Sequence, residues 1–273
     1  MDRHVAVSRD LTLQGLEASS NQNNSGAENY FSQAVSSDPD NVEARMLLAA
    51  SYQKRGQTSE AIQQLEEALK IAPGNDELIC QLGECYVVSK QEKYAYRLSQ
   101  LALRKNRESV PAWTLKARTL WQMGLKEPAL ADYQRALRID PNNAELRYQM
   151  ASLYLEMGKP LRALTTLDQI ADEFDEEKIP EPILLQQSVA LQQMNRNTEA
   201  VDRLKVGFDR GGYSENLAEA YVTALVRDSD FESANNALRL AQRQLPNATR
   251  LAQMNLGTGD QSRFAERQSG QIR

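Results

Sequence analysis

"SEAIQQLEEALKIAPGN" (residues 59–75) reads as one amphipathic helix followed by its stop. Small and apolar residues return at three- and four-residue steps, at Ala61, Leu65, Ala68 and Leu69, with charges and amides between them. Pro73 and Gly74 then end the helix, because proline has no N–H to donate and glycine adopts turn geometry freely. The chain says nearly the same thing again at 127–143, as "EPALADYQRALRIDPNN". Two similar helices with the same stop at a fixed interval point to an internal repeat.

The period extends along the chain. Ala27, Ala61, Ala95, Ala129 and Ala163 are 34 residues apart, and Ala200 and Ala234 continue the series after three extra residues. A second small or modest side chain follows seven residues after each, at Ala34, Ala68, Ala102, Ala136, Ile170, Gly207 and Ala241. Five further on stand Pro39, Pro73, Pro141 and Pro246, with Arg107, Asp175 and Gly212 in the other units. The first half of each unit has its own pattern. "LLAASYQKRG" (47–56), "LGECYVVSKQ" (82–91) and "MASLYLEMGK" (150–159) place a large apolar residue, a small one and an aromatic at helical spacing before a Gly or polar turn. Each unit is therefore a helix A, a tight turn, a helix B and an exit. Pro111, Pro160 and Pro182 fall in predicted first turns, where a missing N–H costs nothing.

A 34-residue helix–turn–helix with small residues at fixed places and a closing proline resembles the tetratricopeptide repeat. The resemblance implies an all-α fold, a right-handed superhelical α-solenoid of antiparallel helix pairs with helix A lining the concave face. The register gives seven units, 8–41, 42–75, 76–109, 110–143, 144–177, 181–214 and 215–248, within a single solenoid over 1–248. A capping helix is expected over 249–256, where Leu251 and Met254 would cover the last unit's apolar face, and a polar, disordered tail over 257–273. The three extra residues fall in "DEFDEEKIPEP" (172–182), read as a solvated connection, with a hinge as the sharper alternative. "RGG" at 210–212 sits in a unit exit and is read as a turn rather than an RNA-binding segment.

Composition narrows the function. Apolar residues make up 41% and aromatics 6%, which suits helix interfaces built on Ala and Leu. A formal charge of −5 leaves no basic surplus for phosphate neutralisation, so nucleic acid is not an expected partner. Catalysis needs a tuned nucleophile, base or metal. With His4 alone, a histidine-based triad has no centre and a zinc site lacks ligands, so no enzyme, metal or cofactor is expected. Cys80 and Cys85, with Cα atoms roughly 8 Å apart on one helix, are too distant for an internal disulfide and read as small buried thiols. No apolar run approaches the ~20 residues that span a bilayer. The sequence predicts a soluble, cytoplasmic chain, or a periplasmic or envelope one if its N-terminus has been trimmed.

What remains is recognition. The resemblance implies a non-catalytic scaffold or adaptor that holds a peptide or partner helix in its groove. The alternatives are a self-associating structural component, forming a homo-oligomer, or the soluble part of a bacterial envelope assembly or export complex. Carried onto this chain, the groove-facing register takes Met46, Leu47, Ala50, Gln53, Cys80, Gln81, Glu84 and Val87 early in the chain. It continues through Thr114, Leu115, Arg118, Trp121, Tyr148, Gln149, Ser152, Leu155, Leu185, Gln186, Val189 and Gln192. The Lys/Asn/Arg dicarboxylate clamp of chaperone-binding members has no match at these positions. Trp121 with Arg118 and Tyr148 has the aromatic-plus-Arg make-up of a binding hot spot, whereas Trp113 is expected in the core. Gln81, Gln149 and Gln186 could hydrogen-bond a peptide backbone.

Overall fold

The structure is a computed structural model that describes residues 3–254. Fifteen α-helices and one 3-10 turn account for its regular structure, with no strand among the described residues. Contacts divide the chain into two compact units, one up to Asn142 and one from Asn143. The first unit holds α1 (Arg3–Ser20), α2 (Asn24–Ser37), α3 (Val42–Lys54), α4 (Thr58–Ile71), α5 (Asp76–Val88), α6 (Glu92–Lys105), α7 (Val110–Gln122) and α8 (Lys126–Ile139). The second holds α9 (Ala144–Glu156), α10 (Pro160–Ala171), α11 (Glu181–Gln193), α12 (Asn197–Asp209), α13 (Glu215–Arg227), α14 (Phe231–Gln244) and α15 (Thr249–Gln253), with the 3-10 turn at Glu176–Lys178. Within each unit successive helices pack as hairpins, and odd-numbered helices also touch one another, α5 with α7, α9 with α11 and α11 with α13.

The alanine series sits where helices approach most closely. Ala27, Ala61, Ala95, Ala129, Ala163, Ala200 and Ala234 are all 2% exposed or less. So are Ala34, Ala68, Ala102, Ala136, Ile170 and Ala241 in the second series. A methyl lets helix backbones close up, and Leu65, Leu78, Leu82 and Leu115 fill the space between, all buried in one cluster. Gly83 is tighter still. A Cβ placed there would meet Leu115 Cδ2 at 2.2 Å, and Leu115 is itself fully buried.

Two local devices set each hairpin. The odd helices α3, α5, α7, α9 and α13 start at Asn41, Asn75, Ser109, Asn143 and Ser214, whose side chains accept from the backbone N–H three residues on. Each tight turn then contains one residue in the left-handed region. Gly56, Gly124 and Gly158 take it without steric cost (φ between 65° and 77°), and Gln22, Lys90, Asn195 and Ser229 take it in the other hairpins (φ between 57° and 66°).

The connection at 172–182 lies inside the second unit. Its 3-10 turn is pinned by Arg210, which donates from Nη1 to the Ile179 carbonyl at 2.7 Å and from Nη2 to the Glu176 carbonyl at 2.9 Å. Gly211 and Gly212 follow with φ of 69° and 65°, so "RGG" is a turn. At the far end α15 buries Leu251 completely, and Met254 is half-buried. The tail expected over 257–273 lies outside the described residues.

Candidate functional site

The odd helices of the second unit carry an open groove of about 580 Å³. Tyr148 of α9, Leu185, Gln186, Val189 and Gln192 of α11, and Asn216, Glu219, Ala220 and Thr223 of α13 line it, with Arg250 of α15 at one end. Val189 is 43% exposed, so its apolar side chain stands open to the groove. Its own helix explains the geometry. Leu184, Leu191 and Ala190 face inward and are buried, so the opposite stripe, Leu185, Val189 and Gln192, must face the groove.

Hydrogen bonds fix the polar groups around this floor. Ser152 Oγ donates to the Tyr148 carbonyl at 3.1 Å, which spends its one proton. Its oxygen can then only accept, and it takes Nε2–H of Gln186. That pins the orientation of the Gln186 amide and leaves its Oε1 buried without a partner. Burial and the Glu145 carboxylate hold the Tyr148 phenol above its ordinary value, so its hydroxyl stays protonated at neutral pH. Arg250 closes the end. Its Nη1 pairs with Glu219 at 2.9 Å, its Nη2 donates to Asn216 Oδ1 at 2.6 Å, and its backbone N–H donates to Glu215 at 2.7 Å.

Tyr148 and Gln186 thus come together, along with Leu185, Val189 and Gln192. Gln149, one position past Tyr148, instead donates along its own helix to Glu145 at 2.7 Å, and its Oε1 is buried without a partner. In the first unit, Arg118 pairs with Glu84, whose carboxyl is pushed up by burial against the downward pull of that guanidinium. Gln81 donates to the Met46 carbonyl at 3.3 Å, and the Met46 side chain packs, partly buried, on the core. Trp121 is half-buried, edge-on to the fully buried Tyr133 ring with centroids 6.4 Å apart.

Three residues of the expected register face inward instead. Cys80, Val87 and Leu115 are buried at 8%, 1% and 0% exposure, because the odd helices also pack on one another and turn that edge of the stripe into core. Trp113 is half-buried rather than core. Its Nε1 donates to the Arg107 carbonyl at 2.7 Å, and the charged ends of Lys116 and Arg135 lie 5.1 Å from its ring centroid. Both thiols are free and buried, and burial pushes each up to about 11, which makes them poor nucleophiles. Among the described residues no cluster of His, Cys, Asp and Glu could hold a metal, and no helix is long and apolar enough to cross a membrane.

Sequence reasoning missed Asn216, Glu219, Ala220, Thr223 and Arg250. The first four were within reach, since they occupy in the next unit the positions of Pro182, Leu185, Gln186 and Val189. Arg250 was not, because it lies beyond the repeats and no period predicts where it folds back.

Comparison with known proteins agrees with this architecture. Residues 12–76 match one tetratricopeptide repeat family model, and 52–119 and 120–179 match a second. The chain is 27% identical over 153 residues to anaphase-promoting complex subunit 3 of Schizosaccharomyces pombe, covering 56% of this chain and 23% of that protein. It is 25% identical over 160 residues to the BBSome complex member BBS4 homolog of Drosophila melanogaster, covering 58% and 33%. These matches span a third or less of the curated relatives. Among solved structures, a tetratricopeptide repeat protein from Parabacteroides merdae superimposes with a TM-score of 0.66 at 15% identity, over 90% of this chain and 96% of that one. PilW, described as a widely conserved type IV pilus biogenesis factor, gives 0.68 at 19% identity over 80% and 98%. At such identities the shared property is the fold.

Proposed function

The chain belongs to the tetratricopeptide repeat family, and from that premise we propose that it is a non-catalytic interaction scaffold whose second unit binds a protein partner's segment in the groove of α9, α11 and α13. The observation that carries this reading is the apolar floor, exposed Val189 beside half-buried Leu185, framed by the Gln186 and Gln192 amides and the Tyr148 ring. An apolar centre with a polar rim is the usual make-up of a recognition surface. In the first unit we assign a lesser contact role to Met46, Gln81, Arg118 and Trp121 on the corresponding helices. Arg118 is already committed to Glu84 there, and Trp121 spends part of its ring on Tyr133.

Substitution at the floor tests the proposal. Val189→Arg should abolish the specific set of proteins cross-linked to the wild-type chain in its native cells, while its circular dichroism melt stays within about 0.5 kcal/mol of wild type, as for an exposed site. Trp121→Ala is the comparison. It should retain most of that set but melt lower, through loss of the contact with Tyr133. An unchanged cross-linked set in folded Val189→Arg would remove the groove from the function.

A further inference from the structure

Basic and acidic side chains are segregated along this chain, which its net charge of −5 conceals. Helix α6 exposes one stripe, Lys93, Tyr94, Arg97, Leu101 and Arg104, within an arc of about 100°. No acid interrupts it, because the helix's one acidic residue is Glu92 at its start. Lys93, Arg97 and Arg104 make no ion pair among the described residues, and Lys93 and Arg97, four apart, repel each other. Between these cations Tyr94 is 53% and Leu101 40% exposed. Tyr94 is held in place by stacking on Tyr86, with ring centroids 5.2 Å apart.

The connection after α10 has the opposite character. Asp172, Glu173, Asp175, Glu176 and Glu177 are all exposed, with no base before Lys178. Glu173 pairs with Arg147 and Asp175 with Lys178. Asp172, Glu176 and Glu177 are left without an ion pair among the described residues. Helix electrostatics do not account for this run. It gathers at the C-terminal end of α10, where the dipole disfavours anions, and the last turn of α10 holds no base. In the middle of the run Phe174 is 39% exposed.

Three unpaired cations around Tyr94 and Leu101 thus match three unpaired anions around Phe174. Each cluster of like charge costs stability where it stands, and an opposite cluster relieves both. We propose that α6 of one copy docks on the 172–177 segment of a second copy, with Phe174 laid against Tyr94 and Leu101. Opposite charge steers the encounter, and the aromatic and apolar side chains supply the desolvated centre. Because the two patches are different surfaces, each copy offers one of each and the contact can propagate. It uses no residue of the groove on α9, α11 and α13 and stands apart from the reading built on that groove.

Light scattering on the full-length chain at stepped concentrations tests the contact. In about 0.05 M salt the mass should rise above one chain, and in about 0.5 M it should fall back as the charges are screened. Arg97→Glu with Arg104→Glu should weaken association at least about tenfold, because like charges then face each other. Asp172→Lys with Glu177→Lys should do the same. All four substitutions in one chain should restore association, since both patches then have reversed sign. Phe174→Ser should weaken it and Val189→Arg should leave it unchanged. Circular dichroism checks that every variant folds. The substituted side chains are exposed, and Arg210 holds only backbone carbonyls of the acidic segment. A wild-type chain that stays monomeric overturns the proposal, and so does one that instead sediments with phosphatidylserine–phosphatidylcholine vesicles through α6. Association that survives either pair of reversals, is not regained in the fourfold variant, or is lost on Val189→Arg overturns it as well.

Discussion

At residue scale the left-handed turn position gives the sharpest test of the hairpin geometry. Lys90 holds a φ of 57° where Gly56, Gly124 and Gly158 sit in other hairpins, and a side chain with a Cβ is strained there by roughly 1–2 kcal/mol. Glycine loses part of that gain through its freer unfolded chain. Lys90→Gly should therefore raise stability by about 0.5–1 kcal/mol in urea denaturation. Asn195→Gly, at a φ of 59°, should change little, because asparagine tolerates this region. Equal effects at both sites would show that strain is not what distinguishes them. The glycines at 56, 124 and 158 were visible in the sequence as turn signals. That Lys90, Asn195 and Ser229 share their geometry was not, because only the hairpin forces them into it.

At the scale of elements, the connection between α10 and α11 depends on one side chain brought back from α12's exit. Arg210 holds two carbonyls of the 172–182 segment that have no helix to satisfy them. Arg210→Ala should cost about 1.5–3 kcal/mol, the range for hydrogen bonds from a charged donor. Hydrogen exchange should quicken selectively in Glu176–Ile179, with α11's buried face unchanged. Uniform acceleration across α10, α11 and α12 would instead mean that Arg210 supports the whole packing. The sequence marked this segment as an insertion from the broken period, and marked "RGG" as a turn. It gave no hint that the two meet, because one partner lies in the connection that interrupts the period and has no counterpart in the other units. The helix starts are the opposite case. Asn41, Asn75, Ser109 and Asn143 recur at the repeat's own interval as ready N-caps, a signal the residues carried in plain view.

At the scale of the whole molecule, burial of an ionisable group ties global stability to pH. Burial raises the folded-state pKa of Glu84 above the ordinary 4.5, outweighing the guanidinium of Arg118. The folded chain then holds that proton to higher pH than the unfolded chain does. This contribution to stability is fully present below pH 4.5 and is lost as pH rises through the folded-state value. Glu84→Gln removes the titration, so the stability of the variant relative to wild type should climb from pH 4.5 toward neutrality in urea denaturation at stepped pH. A difference that stays flat, or falls, would mean that the Arg118 pair dominates after all.

The sequence by itself determined the helix–turn–helix unit, its period and the residues at its closest contacts. Small residues at Ala61 or Ala129 and stops such as Pro73 act locally and repeat, so a single chain displays the rule many times over. Tertiary structure alone decided which edge of each odd helix becomes core and which faces the groove. Val87 and Leu115 went inside while Leu185 and Val189 line the groove, although all four belong to the same predicted stripe. The reason is physical. A helix's period fixes which residues share a face, but the width of face that neighbours cover depends on how closely they pack, as Gly83 does against Leu115.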